Sequence, residues 1–167
     1  MKQVLSCLIV LLCLSCKKEK SGAELLIADS RNAFQDFKLT SHNNYVYIVF
    51  TYASIGVFAD YHETKITVEN GKVTARQYWG LNSSSPFGII YTEDKTTLGS
   101  HTEGAAILTL DDIYTKAQNE WLIADPAQNT IVYETNNNGM ISSCGYSGKT
   151  DPLHIFRGIN IKSITAL

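Results

Sequence analysis

Four cysteines and four histidines are the side chains here best suited to nucleophilic, acid–base or metal chemistry. Ser142–Ser143–Cys144–Gly145, with Asp151 and His154 downstream, holds the parts of a Cys–His nucleophile site. That chemistry needs the imidazole within hydrogen-bond reach, to convert the thiol to thiolate. The stretch around Cys144 reads instead as a strand, whereas activated cysteines favour exposed, electropositive surroundings such as helix starts. Cys144 is therefore expected to be a buried structural thiol. His42, His62, His101 and His154 are scattered, in no metal-ligand spacing, and Asp111–Asp112 lacks the alternating acids of a calcium loop. No catalytic residue, metal or cofactor is assigned. The aromatics are better candidates: Tyr45, Tyr47, Tyr52, Tyr61, Tyr78, Trp79 and Tyr91 crowd one part of the chain. Exposed rings can stack on sugars or anchor a partner. Strand alternation sends about half of such rings inward. The binding residues nominated are Tyr78, Trp79 and Tyr91.

The other cysteines lie at the start. Val4 to Leu14 is an 11-residue stretch, apolar except for Ser6, preceded by Lys2. It has the length of a signal-peptide core and falls short of the ~20 apolar residues a spanning helix needs. Leu14–Ser15–Cys16 follows, then Lys17–Lys18–Glu19–Lys20. This resembles a bacterial lipoprotein signal, in which a small residue precedes the cysteine that takes the lipid. Cys7 has almost no apolar core before it, and Cys13 follows the bulky Leu12. Cys16 is the expected lipidation site, although Cys13 stands where the family usually has an aliphatic residue. The resemblance implies that residues 1–15 are removed, 16–22 form a tether, and the membrane lipid is held through acylated Cys16. Several acyl chains anchor stably where one is marginal. Lys17 replaces the Asp usual in inner-membrane retention, which favours the outer membrane, on either face.

Composition is globular: 167 residues, 44% hydrophobic and 18% charged. From Ser21 onward there are 10 basic and 15 acidic residues. A surface this acidic repels nucleic acid, and no basic stripe compensates.

The elements that must position these residues are legible in part. Helical spacing of Leu26, Ile27, Ala33, Phe34 and Phe37 predicts a helix over 24–38. Residues 45–53 predict a central strand apolar on both faces. Asn70–Gly71 predicts a type I′ hairpin within 63–78, since both turn positions need positive φ. Its simplest register sets Glu69 against Lys72, Val68 against Val73, Thr67 against Thr74, Ile66 against Ala75, and Lys65 against Arg76. Residues 80–108 fit no pattern beyond a possible short strand at Gly88–Ile89–Ile90–Tyr91. They read either as a functional loop or as core cover, and an acidic pair within them would be the alternative to Cys144 in an enzyme. A second helix is expected over 110–122, capped by Thr109 and Asp112. Strands follow at 130–135, 140–144 and 156–164, the first two joined by Asn136–Asn137–Asn138–Gly139. The sum is one α+β domain over 23–167, in the order α-β-β-β-α-β-β-β.

The chain also resembles an uncharacterised family of small exported bacterial domains. The carriers are Asn44–Tyr45–Val46–Tyr47, Ile66–Thr67–Val68–Glu69–Asn70–Gly71–Lys72–Val73, Thr109–Leu110–Asp111–Asp112–Ile113–Tyr114, and Ile131–Val132–Tyr133–Glu134 with Gly139. That family has no assigned chemistry, and its usual cysteines after the first strand are missing here. The resulting expectation is a lipid-anchored, non-enzymatic binding module whose partner is an envelope protein or glycan. The alternatives are a glycan or small-molecule binder using an aromatic face, and an envelope enzyme using Cys144.

Overall fold

The computed structural model describes residues 22–55, 58–82 and 85–167. The expected signal at 1–15, the lipid site at Cys16 and most of the 16–22 tether lie outside the described residues. Helix α1 (Gly22–Thr40) leads into four strands, β1 (Tyr45–Ile55), β2 (Phe58–Glu69), β3 (Lys72–Asn82) and β4 (Ser85–Glu93). Helix α2 (Leu110–Lys116) continues as a π-helical turn (Ala117–Trp121), and β5 (Asn129–Glu134), β6 (Ser143–Gly148) and β7 (Arg157–Ala166) complete the chain. All pairings are antiparallel in one sheet ordered β4-β3-β2-β1-β7-β6-β5. The expected order is consistent with this arrangement, and the short strand raised for Gly88–Ile89–Ile90–Tyr91 is a full fourth strand of the first half, β4. The 140–144 strand is displaced to β6. Met140 and Ile141 are buried but precede it.

Both helices cover one face of the sheet. Phe34 of α1 is fully buried, edge-on to Tyr45 and stacked on Tyr114 of α2 at 5.2 Å between ring centroids. The Tyr114 hydroxyl hydrogen-bonds the Ser30 side chain and accepts from the Ile141 N–H, so one residue joins both helices to the chain ahead of β6. The Tyr45 hydroxyl accepts the N–H of Leu110, and Thr109 and Asp112 form the expected capping box.

The hairpin has the expected turn, with φ of 51° at Asn70 and 73° at Gly71. Asn44 Oδ1 accepts the Asn70 N–H and the Asn43 carbonyl accepts that of Gly71, docking the turn beside the end of α1. Beyond the turn the simple register is corrected by a β-bulge. Val68 faces Val73, but Thr67 faces Ala75, Ile66 faces Arg76 and Lys65 faces Gln77. Thr74 is the extra residue. A one-residue slip moves each later side chain to the other face of the sheet. The like-charged Lys65–Arg76 pair therefore never forms, and Thr74, Arg76 and Tyr78 turn inward. A second bulge, at Lys162 of β7, lets Ile161 and Ile164 both face the core. Lys162 then reaches Glu63, which also accepts the Tyr61 hydroxyl.

Candidate functional site

The bulge at Thr74 has its main consequence at Arg76. Its side chain is 4% exposed, and the guanidinium grips the fully buried Glu93 in a two-pronged bond, at 2.8 Å from Nε and 2.9 Å from Nη2. Cross-strand pairing of Arg76 with Glu93 sets the geometry. The carboxylate also accepts backbone N–H groups of Gly99 (3.1 Å) and His101 (2.8 Å). The Arg76 guanidinium, aided by these N–H groups, holds the Glu93 carboxyl well below the usual range, against the opposing effect of burial. Arg76 in turn donates to the carbonyls of His101 and Ala105. A charge pair buried this deeply needs all its lone pairs and protons satisfied, and this one is satisfied by the segment after β4.

That segment, residues 94–108, is thus held onto the sheet, the second of the two readings of 80–108, though by Arg76 and Glu93 and not by Ile89 and Ile90, which are exposed. Tyr91 donates to the Glu103 carbonyl, and its ring stacks on His101 with centroids 4.0 Å apart. The Ala105 N–H donates to Thr64 Oγ1 at 2.9 Å. Gly104 sits at φ 82°, and a Cβ there would lie 2.9 Å from the Tyr91 hydroxyl and 3.1 Å from Thr64 Oγ1, so only glycine lets the chain lie this close.

Pinned in this way, residues 104–108 form one wall of a cleft of about 290 Å³ on the helix-covered side of the sheet. Val49, Thr64 and Tyr78 supply its floor, and His62, stacked on Tyr78, lies beside them. The opposite wall holds Lys116 and Trp121. Trp121 closes the π-helical turn, where the Leu122 N–H bonds the Ala117 carbonyl five residues back at 3.0 Å. Such turns recur at functional sites because they redirect one side chain out of helical phase. Small residues at Gly104, Ala105 and Ala106 leave the space open.

The nominated residues are not brought together. Tyr78 and Tyr91 are buried on the helix-covered face, and only Tyr78 lines the cleft. Trp79 pairs with Glu63 and Ile89, placing it on the opposite face. Tyr45 and Tyr47 are core, Tyr52 is exposed and Tyr61 is half-buried. The nucleophile constellation does not assemble either. Cys144 is fully buried, and burial pushes its thiol up to about 12. Asp151 accepts the N–H groups of Leu153 and Ile155, and His154 is exposed. Among the described residues no group of three or more His, Cys, Asp or Glu could hold a metal ion, and no helix is long and apolar enough to cross a membrane. Native Cys144 is expected to resist maleimide for hours and to react within minutes in denaturant. Rapid native labelling would restore the nucleophile reading.

Nothing in the sequence marks Lys116, His62 or Thr64 as site residues, and Trp121 reads only as part of the second helix expected over 110–122. The helical spacing that marks Trp121 does not announce the π-turn that aims it at the cleft. No family model, curated protein or solved structure matches the chain.

Proposed function

We propose that this chain is a lipid-anchored protein of the bacterial envelope and a non-enzymatic binding module, with the cleft between sheet and α2 as its site. The observation that carries the binding reading is a concave, mostly apolar space with few polar groups, walled by a segment that a buried ion pair holds in place. Ligand sites have this character, and a wall fixed in advance lowers the ordering cost of binding. The deeply buried, proton-holding Cys144 supports binding over thiol catalysis. The Leu14–Ser15–Cys16 signal supports anchoring, and Lys17 favours the outer membrane.

Two measurements test these halves separately. Cys16→Ser is expected to abolish incorporation of labelled fatty acid and release the protein from membranes. Labelling that persists there and vanishes in Cys13→Ser would move the lipid site. Ala106 is exposed at the cleft, so Ala106→Phe fills the space with little strain on the core. It is expected to fail to complement a deletion strain at normal protein abundance. Full complementation would remove the cleft as the functional site.

A further inference from the structure

The cleft's lining also bears on what enters it, an inference that rests on the binding reading above. We propose that its ligand is a small, flat, apolar molecule carrying one carboxylate, such as a one- or two-ring aromatic acid. The size argument comes first. A dry cavity of about 150 Å³ accepts benzene, and drug-sized ligands need roughly 300–1,000 Å³. At about 290 Å³ the cleft suits a molecule between these, not an oligosaccharide or a peptide.

Shape and ring chemistry come next. Trp121 lines one side and His62, stacked on Tyr78, the other, and Val49, Leu108 and Ile159 add aliphatic surface. Planar rings gain most from such walls, by offset or edge-on contact. The sugar-stacking role considered for Tyr78 is unsuited to this geometry, because its ring is already covered by His62 and Tyr91.

Charge selects the polar group. Lys116 is the only acidic or basic residue among those lining the cleft other than His62, and no carboxylate lines it. Lys116 Nζ is held by both oxygens of Glu120, at 2.9 and 2.7 Å. An ammonium has three donors, so one remains for an incoming acceptor. The lining thus favours an anion at the remaining Lys116 donor, tolerates a neutral ring, and disfavours an amine, which would meet the Lys116 ammonium where the Glu120 carboxylate is already paired.

The test uses the full chain with Cys16→Ser, which carries no acyl groups, and three probes sharing one ring system: 2-naphthoate, 2-naphthylmethanol and 2-naphthylmethylamine. Binding is measured by calorimetry and mapped by amide and indole NMR shifts. The expected result is saturable 2-naphthoate binding with shifts at Ala105, Ala106, Ile159 and the Trp121 indole. The amine should bind at least tenfold more weakly. Lys116→Met should weaken the acid about tenfold and the alcohol much less, and Ala106→Phe should abolish binding of all three. An amine that binds as tightly as the acid, or an acid indifferent to Lys116→Met, overturns the ligand class while leaving the cleft as a site. Absence of saturable binding by every probe, or shifts confined to other surfaces, overturns the cleft itself.

Discussion

Arg76→Met is expected to destabilise the fold by about 3–5 kcal/mol, the range for breaking one half of a buried ion pair. For a domain of this size that lowers the melting temperature by roughly 10 °C. The loss comes from Glu93, whose fully buried carboxylate would keep its backbone donors and its His101 contact but lose the guanidinium. Glu93→Leu should do similar damage by stranding the guanidinium. The double variant Arg76→Met with Glu93→Leu should recover much of the stability, because apolar side chains of similar volume replace such pairs at little cost. A double variant no more stable than either single one would show that the pair is not the unit that matters. The same carboxylate sets an acid limb. Its folded pKa is lowered, so its contribution is fully present above the unfolded carboxyl's range near pH 4.3 and is lost as pH falls below it. Urea midpoints should be flat from pH 7 to about 5 and fall below about 4. In Arg76→Met the acid limb should be shallower.

Replacing residues 94–103 by a short Gly–Ser linker is the second large change. It removes the Glu93 bonds to Gly99, Ser100 and His101, the Arg76 bond to His101, and the Tyr91 bond to Glu103. A buried polar group that loses its partner costs about 1–3 kcal/mol. The shortened chain is therefore expected to lose about 3–5 kcal/mol or to fail to fold, and to lose probe binding with it. A shortened chain with native stability would show that the segment is an ordinary surface loop and that the cleft wall is incidental.

Local signals were legible in the sequence where backbone chemistry is specific. Asn70–Gly71 announces its turn because both positions require positive φ, and Thr109 with Asp112 announces a helix start. The bulge one residue beyond that turn was not legible. Val73, Thr74 and Ala75 are all small and strand-compatible, so alternation fits either register. Without the bulge Arg76 pairs with Lys65, and its actual partner Glu93 lies in the segment without a pattern. The site was less visible still. Its lining comes from β1, β2, β3, the 104–108 segment, the α2 turn and β7, so no stretch of sequence holds enough of it to form a motif. Trp79 and Tyr78 are neighbours in the chain but lie on opposite faces of the sheet, which is why nominating them together fails.

The central claim is that the cleft wall is fixed before any ligand arrives. Amide hydrogen exchange in the ligand-free protein tests it most directly. The Gly99, His101 and Ala105 N–H groups bond Glu93 and Thr64, and the expected result is protection at His101 and Ala105 comparable to the inner amides of β2 and β3. Exchange at both positions as fast as at the exposed Thr102 would contradict a preformed wall.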